Sequence, residues 1–187
     1  MADTSVSTTA NVAGPEPVRV PVGDPLYFEV LQSLWDEAAT LDAGDNKAWR
    51  AWLAPDIEYE IPVRTTRERG AGAGFSSELA HFSEDLGGLD LRMAWHDSEA
   101  TWAQNPQPRT RRYVTNVRVW RTDVEGEFAA HSYILVIRNR YDDPTLRLLP
   151  AERHDLLRRV GSDLKLAKRR VLLDQTTLSV DNLAFFV

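Results

Sequence analysis

The chain has 187 residues, 43% hydrophobic and 27% charged, with a formal charge of −6, which is the size and balance of one domain able to bury a core. It contains no cysteine, so disulfides, thiolate nucleophiles, zinc ribbons and cysteine-ligated iron–sulfur clusters are excluded in any compartment. The acidic balance argues against nucleic acid as a partner; with no basic-then-apolar leader and no run of about 18 apolar residues, the sequence reads as a soluble, cytoplasmic protein that engages no membrane.

Residues 1–24 are rich in Ala, Ser, Thr, Val and Pro, and Pro15, Pro17 and Pro21 deny them a helix, so this segment is expected to be a flexible or extended arm. Asp24 before Pro25 is a helix-start signal, a capping side chain ahead of a first-turn proline. Tyr27, Leu31, Leu34, Ala38 and Leu41 then recur at helical spacings up to Gly44. Asp45 can cap a second, short helix carrying Trp49, Trp52 and Leu53, which Pro55 terminates. From Asp56 the period becomes two: Ile57, Tyr59, Ile61 and Val63 point one way and Asp56, Glu58 and Glu60 the other, the pattern of a half-buried strand. A glycine-rich loop over residues 65–76 leads to SELAHFSEDL, which is expected to form a polar helix ending at Gly87 and Gly88. LDLRMAW predicts a further helical piece before the loop around Asn105, Pro106 and Pro108.

The second half differs in kind. RYVTNVRVWR, EFAAHSYILVIRNRY, TLRLLPAERHDLLRRV and LKLAKRRVLLDQTTLSV are long alternating or β-branched runs separated by turn signals at 124–127, 142–144 and 161–163. They predict an antiparallel meander. Helices first and connected strands afterwards argue for an α+β domain, with N-terminal helices packed on one face of a strongly curved antiparallel sheet. Residues 25–187 are expected to form that single domain behind the 1–24 arm.

The motifs are more specific than the pattern. The helix end EAATLDAGD followed by WRAWLAPDIEYEIPVR, then HFSEDL, LRMAW, ATWAQNPQPRTRRYVTNVRV, VIRNRY, ERHDLLRR and RRVLLDQTTLSVDNLAFFV resembles, in this order, the small (β) subunits of aromatic-ring-hydroxylating dioxygenases of the Rieske non-haem iron type. The resemblance runs from about Asp24 to Val187 and rests most on the blocks W-x-x-W-L to Y-x-x-P-x-R, R-T-R-x-x-V-x-N and R-x-x-L-L-D-Q. It departs from the family at Arg112, where a histidine is frequent, and at Ala151, where a glycine is frequent.

What the resemblance implies is the cystatin-like fold shared with nuclear transport factor 2, a cone formed by a bent sheet and closed by helices. It implies a partner as well: a large α subunit, joined to further β subunits in an α3β3 assembly. That α subunit holds a Rieske [2Fe-2S] centre and a mononuclear Fe(II), and dihydroxylates an aromatic compound with O2 and electrons that reach it from NAD(P)H through ferredoxin and reductase. The β subunit is implied to support assembly, with no catalytic residue, metal or cofactor of its own. Composition agrees on one point independently, since a Rieske centre needs two cysteines and this chain offers none.

Residues that could carry chemistry in the chain itself read as structural. His81, His96, His131 and His154 are separated by 15, 35 and 23 residues, so no two lie one helical turn apart as metal ligands. His81 with Asp85 is a solvated helix-surface contact on this reading. The row Asp56, Glu58 and Glu60 could raise a carboxyl pKa by crowding, but a solvent-facing or subunit-facing strand has the same look. The GAGAG stretch at 70–74 lacks a phosphate-loop order, and Ser132 beside His131 would point to the opposite face of a strand.

The charge is uneven: residues 147–170 hold eight Lys or Arg against three Asp or Glu. Arginine forks suit carboxylates across a subunit boundary, so Arg109, Arg111, Arg138, Arg140 and Arg153, with Trp102 as an aromatic anchor, are the candidate subunit-contact residues, some of which are expected to pair internally with Asp155 or Asp174. Trp35, Trp49 and Trp52 are expected in the core or in helix-to-sheet packing, and Trp95, Trp102 and Trp120 in the core or as interface anchors, with the core reading preferred for all; the apolar tail DNLAFFV is expected to dock under the sheet or against a neighbour. Two other readings stand beside the assembly role. One is a stand-alone isomerase, dehydratase or cyclase whose pocket inside the cone pairs Asp97 or His131 with Tyr59. The other is a scaffold that dimerises through its sheet.

Overall fold

The computed structural model describes residues 17–70, 72, 74–98, 108–140 and 142–187. Within them the elements follow in the order β1 (Val18–Val20), α1 (Pro25–Asp42), α2 (Asn46–Trp52), β2 (Leu53–Arg64), β3 (Phe75–Glu84), α3 (Leu86–His96), β4 (Arg109–Arg121), β5 (Glu127–Asn139), β6 (Arg147–Val160) and β7 (Asp163–Leu173). One sheet contains every strand in the order β1-β4-β5-β6-β7-β2-β3, so β1 and β3 are open edges and the sheet does not close on itself. All neighbours are antiparallel except β2 and β7, which run parallel. The α+β architecture with a curved sheet is the one the sequence predicts.

The first helix forms as its signals require. The Asp24 carboxylate accepts the Leu26 amide at 2.9 Å and Pro25 opens the first turn. Leu26, Val30, Leu34, Ala38 and Leu41 turn one stripe into the core. Asp45 caps α2 through the Ala48 amide at 2.9 Å, but α2 ends at Trp52, and Pro55 sits inside β2 without having set that boundary.

Three expectations are corrected. Residues 75–84 are not a helix: SSELAHFSE is the edge strand β3, paired to β2 through Ile61–Phe82 and Tyr59–Glu84. None of its side chains is buried, so no buried alternation marks it, and the hydrogen-bonding edge of β2 overrides the helix propensity of Glu, Leu and Ala. His81 therefore lies on a strand while Asp85 caps α3 through the Gly88 amide at 3.0 Å, and Gly87 and Gly88 open that helix instead of closing one. Of the 1–24 segment expected as a flexible or extended arm, residues 1–16 lie outside the described residues, and Val18–Val20 is extended as a strand that pairs with β4 and buries Val20. Trp35 and Trp95, expected in the core, are 48% and 52% exposed.

Alternation divides the sheet into two faces. On β5, Phe128, Ala130, Ser132, Ile134, Val136 and Arg138 point to the buried, concave side, while Ala129, His131, Tyr133 and Leu135 point to the outer side. On β4 the parity switches at Asn116, whose φ of 52° makes a bulge between Thr115 and Arg118. Arg112 and Val114 face inward before it, Val117 and Val119 after it.

The concave side is filled by α1, α2, α3 and the segment after β7. Val180, Leu183, Phe185, Phe186 and Val187 are all buried, so the tail docks in its own cone. Phe186 stacks on Trp49 with centroids 4.2 Å apart and meets Tyr59 edge-on at 6.5 Å. Phe186→Ala is expected to destabilise the fold by about 3–5 kcal/mol, read as a lower urea midpoint.

Candidate functional site

In a cone-shaped fold the natural place for a site is the interior, and here charged side chains occupy it. Glu37 on α1 is completely buried and accepts from both Arg169 and Arg153. Arg169 binds it through Nη1 and, at 2.9 Å, through Nη2, while Arg169 Nε and Nη2 hold Asp155 at 2.8 Å each. Arg153 Nη1 reaches Glu37 at 3.1 Å and its Nε donates to Ser132 Oγ at 3.3 Å. Trp49 Nε1 donates to the same Glu37 carboxylate at 3.2 Å.

Burial alone would raise the Glu37 carboxyl, but the Arg169 and Arg153 charges and the Arg169 and Trp49 hydrogen bonds outweigh it and hold it at about 2. Burial likewise opposes the charge on Arg169, yet Asp155 and Glu37 raise it well above the ordinary range. Arg153 is lowered, by burial and by the like charge of Arg169. Two guanidiniums and two carboxylates thus balance inside the core as a fixed ion cluster.

The tail closes this interior. Arg169 Nη1 also donates to the Val187 carbonyl at 3.2 Å, and Tyr59 Oη donates to that carbonyl at 3.1 Å while accepting the Val187 amide at 3.0 Å. Arg112 clamps the preceding residue, with Nη2 2.7 Å and Nε 3.2 Å from the Phe186 carbonyl, and holds Asp42 at 2.6 Å. The cavity left at the mouth, between His96, Arg112, Arg138 and Phe186, measures about 70 Å³, far below the roughly 300–1,000 Å³ of ligand pockets. Larger hollows lie elsewhere: about 480 Å³ in a groove beside α1 and α2 that reaches Glu37 and Trp49, about 550 Å³ between β2, β3 and β7 that reaches Tyr59 and Arg169, and about 700 Å³ on the outer face around Tyr113, Tyr133 and Pro150.

The acid–base pairing considered for a stand-alone enzyme does not assemble. Tyr59 is locked to Val187 with its hydroxyl pKa raised, mainly by burial. Asp97 caps α3 and accepts from Asn46 Nδ2 at 2.7 Å. His131 stands on the outer face, its pKa lowered by partial burial and by His154 beside it.

The basic stretch over 147–170 is neutralised within the chain. All eight of its Lys and Arg residues have an acidic partner within 3.9 Å. The parallel β2–β7 register sets Glu58 beside Lys168 and Glu60 beside Arg170, and Asp56 holds Arg158 at 2.8 Å. The crowded acids and the basic strand are two halves of one set of ion pairs, which corrects the expectation of a basic contact surface.

Of the candidate contact residues, Arg153 lies wholly in the core, out of reach of a second chain. Arg138 is also buried, bonded to Asn182 Oδ1 at 3.0 Å with Phe185 against its guanidinium. Arg140 is half-buried and shares a hollow with Arg147 and Asp181. Arg109 and Arg111 are exposed on the outer face of β4; Arg111 lies 3.6 Å from Asp42 with 68% of its side chain in solvent. Trp102 lies outside the described residues. Arg169 and Glu37 were not singled out from the sequence, and Arg112 only as a departure from the family. Their signal was parity and phase: Arg112 is two residues from Val114, Arg169 two from Val171, and Glu37 falls on the apolar stripe of α1.

The model of the ring hydroxylating β subunit family matches residues 36–180. The chain is 36% identical over 192 residues to the biphenyl 2,3-dioxygenase subunit beta of Rhodococcus jostii (strain RHA1), covering all of both chains. It is 37% identical to the benzene 1,2-dioxygenase subunit beta of Pseudomonas putida, over 89% of this chain and 91% of that one. Among solved structures, a chain of naphthalene 1,2-dioxygenase with indole bound in its active site superposes with a TM-score of 0.78 at 24% identity, over 87% of this chain and 86% of the other.

Glu37→Gln leaves two buried guanidiniums short of one negative charge and is expected to cost about 3–5 kcal/mol in urea unfolding. The pH dependence has a definite sign. A carboxyl lowered from 4.5 to about 2 on folding contributes stability that is complete above pH 4.5 and lost as pH falls toward 2. At about 1.4 kcal/mol per pKa unit the contribution is about 3 kcal/mol, so between pH 5 and pH 2 the stability of Glu37→Gln is expected to fall less than that of the natural chain.

Proposed function

We infer, from a chain that belongs to the ring-hydroxylating β subunit family, that the protein is the non-catalytic β subunit of an aromatic-ring-hydroxylating dioxygenase. The oxidoreductase chemistry, O2 insertion into an aromatic compound, takes place in the α partner, and the β subunit supports assembly. The observation that carries this reading is the filled cone: the ion cluster around Glu37 and the tail Phe185–Val187 occupy the space where a stand-alone enzyme of this fold needs its pocket. A Rieske centre does not fit these residues, because two of its ligands are cysteines and the chain has none; that centre and the mononuclear iron belong to the α subunit.

The finer assignment is an α3β3 hexamer in the cytoplasm, supplied with electrons by a ferredoxin and its reductase. Arg109 and Arg111 are its surface-arginine contacts. They share the outer edge of β4 with Tyr113, which is 51% exposed beside the hollow bounded by Tyr133 and Pro150. Arginine and tyrosine around an apolar hollow are the composition of a protein–protein contact.

Co-expression with an α subunit tests both levels. The chain is expected to co-purify with α in equal stoichiometry, and Arg111→Glu with Tyr113→Ala to lower complex yield and oxygenase activity together, while the thermal midpoint of the isolated chain stays within about 2 °C. Activity lost in a fully assembled complex with intact iron centres would refute a purely structural role.

A further inference from the structure

His131 of β5 and His154 of β6 are direct partners in the antiparallel register, and both side chains leave the outer face of the sheet. Glu152 lies two residues before His154 and so projects from the same face. Its Oε1 is 3.0 Å from His154 Nε2. One ligand atom from each of the three residues lies within 4.8 Å of the other two. The imidazole rings are parallel, with centroids 3.8 Å apart and 7° between their planes, and the Trp120 ring flanks His131 at 4.7 Å.

Two imidazoles and one carboxylate are a ligand set for zinc and for other divalent first-row metals. We propose that His131, His154 and Glu152 form a binding site for one divalent transition-metal ion on the outer face of the sheet, with water completing the coordination. Lone pairs lie in the ring planes, so the parallel rings must turn about their soft χ2 torsions to converge on an ion at about 2.0–2.1 Å. All three side chains are half-exposed, which leaves room for that turn. The site lies in a polar row across five strands, Arg118, His131, His154, Arg170 and Glu60. Arg170 is held by Glu60 at 3.1 Å and the Arg118 guanidinium lies 5.7 Å from the Tyr133 ring. These two cations at the ends of the site limit its affinity to a moderate range.

The probe is Zn²⁺, titrated calorimetrically into the full-length chain after EDTA treatment, with bound metal counted after dialysis. The expected result is one Zn²⁺ per chain and a thermal midpoint that rises with free Zn²⁺, as binding to the folded state requires. His131→Asn and His154→Asn each weaken binding by about tenfold or more and Glu152→Gln by less, whereas His81→Asn, on the exposed edge strand, leaves it unchanged. Absence of saturable binding, or binding that survives His131→Asn combined with His154→Asn, overturns the site. Should a histidine variant fail to fold, the natural chain decides by NMR: two of its four imidazole C2–H signals shift on adding Zn²⁺ if the site exists, and unmoved signals refute it.

Discussion

One buried carboxylate ties two of the three concave-side helices to the sheet and to the tail. Glu37 joins α1 to β6 through Arg153, to β7 through Arg169 and to α2 through Trp49, and Arg169 extends the link to Val187. Burying such a cluster carries a large desolvation cost, and well-packed apolar residues of similar volume are often as stable as a buried ion pair. What the ions add is direction. Arg169 presents its fork to two carboxylates from different elements, so α1 has only one rotation and one depth at which both are satisfied. One donor, Arg153 Nη2, has no partner among the described residues, a residual cost of the arrangement.

That arrangement fills the interior that the fold would otherwise leave open. A bent sheet with helices over its concave face makes a cavity by default, and chemistry on such a fold depends on keeping it open. Here the tail enters the cavity, Arg112 grips the Phe186 carbonyl, and Phe186 lies between Trp49 and His96. What remains available to other molecules is the outer face, where aromatic side chains, arginines and a histidine pair lie uncovered by any helix among the described residues. A rigid interior and an adaptable exterior suit a subunit whose work is to hold others in place.

The helices α1 and α2, the meander β4–β7 and the docking of the tail were legible because each rests on a local signal: a capping aspartate, a period, an apolar end. Strand β3 was not, since an edge strand with exposed side chains is defined by the hydrogen bonds its neighbour offers and SELAHF alone favours a helix. The bulge at Asn116 was invisible for a related reason: one residue at positive φ reverses the facing of everything after it without changing the composition. The histidine pair escaped because spacing was judged by helical turns. His131 and His154 are 23 residues apart, yet a hairpin between them makes them neighbours. Arg153 and Arg169 were legible in principle, as charges at core parity, but a count of basic residues over 147–170 hides which ones face inward. The family motifs carried the functional reading that these local signals could not.

The parallel pairing of β2 with β7 also bears on how the molecule is made. Glu58 and Lys168 meet although they are 110 positions apart in the chain, so β2 leaves the ribosome long before β7 exists. Such non-local pairing forms late and slowly. During that interval β3 covers one edge of β2 and the other stays unpaired, of the kind that recruits other chains, and the row Asp56, Glu58 and Glu60 gives the strand a like-charged face that repels its own copies. The acids that later anchor β7 therefore act first as guards against aggregation, and changing them to neutral residues would reach the yield of folded protein before it reached the stability of the finished one.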